Sequence, residues 1–386
     1  MQFKFNLSDF FVSIIGAAFL FSFTPPHSSV AKDNDQPQKI QVAILLDVSN
    51  SMDGLIGQAK AQLWNMVSVM GKAQCANNNP PKIEIALYEY GRSTNDPKLG
   101  YVKQINSFIS DLDSLSQNLF SLTTNGGDEY CGHVIYSSLN ELNWDPSPDN
   151  YKVIFISGNE DFLQGDILYT KSCSLAAQKG VIVNTIYCGD RIQGIREHWN
   201  LNAECGNGSF TNINQDAKND EIPTPYDSLL FSMNDQLNGT YLWYGYAGRD
   251  KLALQSAVDQ KNGAAGIGVL AKRVAVKGKK ELYDNSTWDI VDARNHDSLF
   301  INKLDRKTLP DSLKKKTNPE LEKIVQEKNK QRSSAQDEIN KLNTQREAFI
   351  TAEKARRATI KNENTLETEV EKTIKFQAKR FRMIIQ

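Results

Sequence analysis

Between residues 39 and 190, short apolar runs alternate with amphipathic stretches, and this alternation constrains the fold more than any other feature. Residues 40–46 read IQVAILL, apolar except for Gln41, which suits a strand buried on both faces of a parallel sheet. Residues 83–90 (IEIALYEY), 153–156 (VIFI) and 181–187 (VIVNTIY) read as further strands, and 101–108 as a strand at or near an edge. After the first run, Leu55, Ala59, Leu63, Met66 or Val67, and Met70 recur at helical spacing. Helices are also expected over 112–122, 132–142 and 169–178. Strands alternating with helices predict an α/β fold with a doubly wound, mostly parallel sheet. Ligands collect at the carboxyl ends of the strands of such sheets. A site is therefore sought in the residues that follow each strand.

Outside this region the chain changes character. Residues 10–23 read FFVSIIGAAFLFSF, after Lys4 and before Ser29-Val30-Ala31, the pattern of a cleavable secretory signal. That run is shorter than the roughly 20 residues a spanning helix needs, although a retained anchor is the alternative. The organisation expected is a signal peptide at 1–31, a linker at 32–38, an α/β domain at 39–240, an extension at 241–310 and a charged α-helical tail at 311–386. Export places the protein in the periplasm or outside the cell, with no stable membrane span after cleavage. In an oxidising compartment, Cys75, Cys131, Cys173, Cys188 and Cys205 can form bridges, one or two of them between 131 and 205, in a pairing the sequence leaves open.

The formal net charge of -1 argues against a strongly basic nucleic-acid binder, and no nucleic-acid partner is expected. It conceals an asymmetry: residues 311–386 carry 18 Lys and Arg against 12 Asp and Glu, hence +6, which leaves -7 for the rest. With one proline and no glycine, this segment reads as long helix starting near Asn318-Pro319-Glu320. Ala335, Ile339, Leu342, Arg346, Phe349, Glu353, Arg356 and Ile360 follow a 4-3 spacing, but three of these are charged, a weak seam for a coiled coil. Leu366, Val370 and Ile374 form a second row. The tail is either a solvated helix with one docking stripe or an arm for self-association or partner binding.

Chemistry concentrates after the first strand, in Asp47-Val48-Ser49-Asn50-Ser51-Met52-Asp53-Gly54. A carboxylate and two hydroxyls on alternate residues of a tight loop are hard oxygen donors that can face one centre. Mg²⁺ prefers such donors and retains water. The loop has no imidazole or thiolate, which disfavours zinc and copper. The plainer alternative makes Asp47 a helix cap and the serines turn residues.

On these residues the segment 39–215 resembles the von Willebrand factor type A domain. Asp47, Ser49 and Ser51 match the first loop of that family's metal-ion-dependent adhesion site. The resemblance implies a Rossmann-like doubly wound sheet and a Mg²⁺ or Mn²⁺ ion whose coordination is completed by an acidic side chain of a protein partner. The second loop of the family supplies a Thr. Here the region reads Thr123-Thr124-Asn125-Gly126-Gly127-Asp128-Glu129, with Asp128 as the first candidate ligand and Thr124 as the second. The third loop usually carries an Asp where this chain has Gly158, so Glu160 is the candidate there. Asn50, Asp53, Glu129, Asn159 and Asp161 are expected on the rim. Exported bacterial members look similar at Leu87-Tyr88-Glu89-Tyr90-Gly91, Thr123-Thr124-Asn125-Gly126-Gly127 and Ser157-Gly158-Asn159-Glu160.

The expectation is an exported, metal-ion-dependent protein-binding or adhesion module and not an enzyme. No H-E-x-x-H, G-x-S-x-G or P-loop occurs, and the histidines are His27, His133, His198 and His296. The alternative is a metal-free scaffold acting through its helical tail. A metal-dependent enzyme is the third reading.

Overall fold

The computed structural model describes residues 37–75, 79–216, 221–357 and 365–385. The signal expected at 1–31 lies outside them, as does the linker apart from Pro37 and Gln38. Eight strands are described: β1 (Lys39–Asp47), β2 (Ala73–Gln74), β3 (Lys82–Tyr90), β4 (Lys103–Ile109), β5 (Tyr151–Gly158), β6 (Ile182–Cys188), β7 (Phe210–Ile213) and β8 (Ile384–Ile385). Six of them form one sheet in the order β4-β3-β1-β5-β6-β7, and β2 pairs with β8. All pairings in the large sheet are parallel except β3 with the edge strand β4. This is the doubly wound order with its crossover at the central strand.

β1 is central because its side chains can be buried on both faces. Its one internal polar residue, Gln41, is fully satisfied: it donates to Glu84 and to the Asn143 carbonyl and accepts from the Asp145 amide. The helices of the first half are α1 (Asp53–Met70), α2 (Leu112–Ser121), α3 (Cys131–Glu141), α4 (Tyr169–Lys179), α5 (Arg191–Arg196) and α6 (Trp199–Cys205). A Cys173–Cys205 disulfide ties α4 to α6, while Cys75, Cys131 and Cys188 are free and buried.

The second half is helical: α7 (Asp227–Asn238), α8 (Gly248–Ala265), α9 (Ile267–Lys277), α10 (Ile290–His296), α11 (Phe300–Lys303), α12 (Asp311–Lys314), α13 (Asn318–Arg356) and α14 (Leu366–Ala378). These helices share the main apolar core: Val258, Val274, Ile339, Leu342, Val370 and Ile374 are buried in it with Leu46, Leu63 and Phe155. Buried ion pairs join the layers. Arg273 on α9 pairs with Asp113 of α2 at 2.6 Å and with Asp259 of α8 at 2.5 Å, and its guanidinium stacks over Trp64 of α1. Lys277 pairs with the same Asp259 at 2.9 Å. A charge withdrawn from water survives only when it is paired, and here each has a partner.

α13 starts in a capping box formed by Thr317 and Glu320. Its row Ala335, Ile339, Leu342 and Arg346 is buried. Arg346 belongs in that row because Asp227 of α7 accepts from it at 2.8 Å. Arg332 is likewise buried against Asp289 and Asp292, with its guanidinium over Tyr241. Farther along, Phe349 and Arg356 are exposed, and Ile360 lies outside the described residues. The part of the row from Ala335 to Arg346 is therefore covered by the chain itself. α14 lies against α1, with Leu366, Val370 and Ile374 buried. Gln377 is hydrogen-bonded to Tyr151 and Asn184 of the sheet. Among the described residues no helix is long and apolar enough to cross a membrane.

Candidate functional site

Parallel register brings the carboxyl ends of β1, β3 and β5 together: Asp47 lies opposite Tyr90, and Leu46 opposite Ser157. The loop after β1 is fixed on two sides, since the Val48 amide donates to the Tyr90 carbonyl and the Asn125 amide to the Val48 carbonyl. It then turns through a single 3-10 turn at Asn50–Met52 into α1. Asp47 is fully buried and Ser49 is 4 % exposed. Asp47 Oδ1 accepts from the Ser49 amide at 2.8 Å. Asp47 Oδ2 and Ser49 Oγ, in contrast, are buried with no hydrogen-bond partner. Buried polar atoms are rarely left this way unless something else completes them.

Around this pair the other loops contribute unequally. Glu129 is buried beside Asp47 and Ser49, against Gly91. Asp128, expected as the second-loop ligand, is instead exposed, and its Oδ2 accepts from the Tyr130 hydroxyl at 3.3 Å. Thr124 donates to Asp53 at 2.6 Å, which commits both to each other. Ser51 is exposed and donates to Asn159 Oδ1 at 3.4 Å. Asn50 is exposed beside Gly126. Glu160 has an exposed side chain, and its carbonyl accepts from the indole of the fully buried Trp199 at 2.8 Å. Asp161 turns away to His198 Nδ1 at 3.0 Å and to the Leu163 amide at 2.9 Å.

Gly158 closes the floor: a Cβ there would stand 2.5 Å from the Tyr90 hydroxyl and 2.9 Å from Asp47 Oδ2. By sequence alone Gly158 stands where a ligand is expected. The structure shows that no side chain fits. Gly91 and Trp199 were not anticipated. A glycine placed directly after β3 was a usable signal of close backbone approach, whereas nothing local marked Trp199.

The carboxylates perturb one another. Burial pushes the Asp47 carboxyl up to about 7; the Ser49 amide and the nearby Ser49 hydroxyl oppose it, Glu160 adds like-charge repulsion, and the Asn159 amide opposes it more weakly. Burial, then the charges of Asp47 and Glu160, push Glu129 up to about 8. Arg92 is paired with Glu89 at 3.2 Å and held against Thr123, so it does not neutralise this pair. The site thus holds unpaired acidic groups and orphaned oxygens, a donor set that fits a hard divalent cation. Among the described residues no group of three or more His, Cys, Asp and Glu side chains is arranged to hold a metal, so any cation here would need hydroxyls as well as carboxylates. Among the described residues, no histidine ring is hydrogen-bonded to Ser49, Ser51 or Cys131. His133 packs at Gly100, His198 binds Asp161 and His296 binds Asp284.

Sheet order and loop chemistry define a doubly wound α/β protein with an oxygen-donor loop at its strand ends. In both respects the chain resembles von Willebrand factor type A domains. No family model and no curated protein matches it. Similar solved structures include proximal thread matrix protein 1 from the mussel byssus, at 15 % identity and TM-score 0.35, over 47 % of this chain and 43 % of that one. A second structure of that protein is described as having a zinc-occupied MIDAS motif. The SpRpn10 VWA domain matches at 14 % identity and TM-score 0.33, over 45 % of this chain and 88 % of that one. An aerotolerance-related membrane protein from Bacteroides fragilis matches at 16 % identity and TM-score 0.33, over 46 % and 93 %. The present chain thus spans less than half the length of the mussel protein.

Proposed function

We propose that this is an exported protein-binding module in which a divalent cation, Mg²⁺ or Mn²⁺, is held by Asp47, Ser49 and Ser51 and captures an acidic side chain of a partner protein. The observation that carries this reading is the pair of buried, partnerless oxygens, Asp47 Oδ2 and Ser49 Oγ, at the carboxyl end of the central strand. When bound, the cation supplies positive charge and open coordination positions for an oxygen ligand. The chain's own groups set the rest: the Ser49 amide orients Asp47, Gly158 keeps the floor clear, and the Trp199 indole fixes the backbone of the third loop. Export is supported by the apolar run at 10–23 followed by Ser29-Val30-Ala31.

Against the metal-free scaffold acting through its tail stands the burial of the Ala335–Arg346 row of α13 and of α14 within the body. Titrating the purified protein with Mn²⁺, followed by electron paramagnetic resonance, tests the cation. Adding succinate as a carboxylate probe should then alter the bound-Mn²⁺ spectrum, and an unaltered spectrum would argue against carboxylate capture.

A further inference from the structure

Three loops surround the orphaned oxygens of Asp47 and Ser49, and they differ in what they can offer. The end of β5 can offer no side chain, because the Cβ position of Gly158 is already filled by the Tyr90 hydroxyl and Asp47 Oδ2. Asp161 is occupied by His198 and the Leu163 amide. In the second loop, Thr124 is spent on Asp53 and Asp128 on Tyr130. One acidic side chain remains that is both buried and unclaimed by a cation. Glu129 is 7 % exposed and, among the described residues, has no Lys, Arg or His within ion-pair distance.

Its placement is built by the chain segment 91–93. Gly91 adopts a left-handed φ of 81°, which favours glycine. A Cβ on Gly91 would lie 2.8 Å from Glu129 Cγ, 2.9 Å from Asp47 Oδ1 and 3.7 Å from Ser49 Cβ. These three residues therefore converge on the space that Gly91 leaves open. The same segment clamps the loop carrying Glu129: the Ser93 amide donates to the Gly126 carbonyl at 2.8 Å. Gly127 lies flat on residues 91–93, where a Cβ would come within 2.6 Å of the Ser93 nitrogen. Two buried acids pressed together with no counter-ion are costly in their charged forms, and either a shared proton or a bound cation relieves that cost.

We propose that Glu129 is a direct ligand of the cation, supplying from the second loop the buried carboxylate for which the Gly158 position has no room. This rests on the cation-site reading above. The ions such a set selects are hard and divalent, namely Mg²⁺, Mn²⁺ or Ca²⁺.

The test compares wild type, Glu129→Gln and Asp128→Asn by Mn²⁺ titration and by thermal unfolding with Mn²⁺ and with chelator. Removing outer-shell partners of a metal costs about 10–100-fold in affinity, so loss of a direct ligand should cost at least about tenfold. Glu129→Gln should bind Mn²⁺ at least tenfold more weakly, lose the Mn²⁺-induced rise in Tm, and be no less stable than wild type in chelator. Asp128→Asn should match wild type. Wild-type binding with an unchanged affinity in Glu129→Gln would overturn the assignment of Glu129 alone. A Glu129→Gln protein destabilised equally with and without Mn²⁺ would make Glu129 structural and also overturn it. No binding by wild type would overturn the cation reading itself.

Discussion

The Cα of Gly158 lies so close to the Asp47 carboxylate that a Cβ on Gly158 would stand 2.9 Å from Asp47 Oδ2. The relationship is dictated by register, since β5 runs beside β1 and ends beside it. It turns what looks like a lost ligand into a requirement for space.

Gly158→Ala is therefore expected to be unfavourable for steric reasons. The added methyl meets two buried groups, Tyr90 and Asp47, and overpacking of this kind costs about 1–3 kcal/mol. Gly57→Ala in α1 is the control: nothing lies within 4 Å of its Cβ position, and the change should stabilise by about 0.5–1 kcal/mol. Urea unfolding of both variants checks the contrast, and equal effects would refute the steric account.

Stability should fall in acid partly through Asp259. Burial alone would raise its carboxyl, but Lys277 and Arg273 outweigh burial and hold it well below its ordinary value of 3.8. A carboxyl with a depressed folded-state value contributes stability that is fully present above its unfolded value and is lost as pH falls below it. Asp259→Asn should cost about 3–5 kcal/mol at pH 7, the scale for breaking a buried pair, and the gap to wild type should narrow between pH 5 and 3. Urea unfolding at pH 7, 5 and 3 measures it, and a gap that does not change with pH would contradict the assignment.

Removing residues 365–386 should damage the body and not merely trim an arm. Leu366, Val370 and Ile374 are 6 %, 2 % and 0 % exposed, and burying such a side chain contributes about 1.5–3 kcal/mol. The shortened chain should bind a hydrophobic dye and unfold at lower urea concentration. Unaltered unfolding would show that α14 is dispensable to the core.

Much of this was legible in the sequence, for identifiable reasons. Burial on both faces marks β1, and the donor loop follows it directly, so the fold class and the position of Asp47, Ser49 and Ser51 at the strand's carboxyl end could be read locally. Asp128 and Glu129 could not be told apart, because they sit side by side in an irregular loop with no period to say which faces in. The inward choice is set by Gly91, 38 positions earlier. Arg346 looked like a break in the α13 row because its partner Asp227 lies 119 residues away. The closeness of Trp199 to the third loop likewise depends on tertiary packing alone.

The central claim is that Asp47 anchors a divalent cation. Calorimetric titration of Mn²⁺ into wild type and into Asp47→Asn, with circular dichroism confirming that both are folded, tests it most directly. The account predicts saturable binding of a single ion by wild type and its loss in Asp47→Asn. Indistinguishable isotherms for the two folded proteins would contradict it.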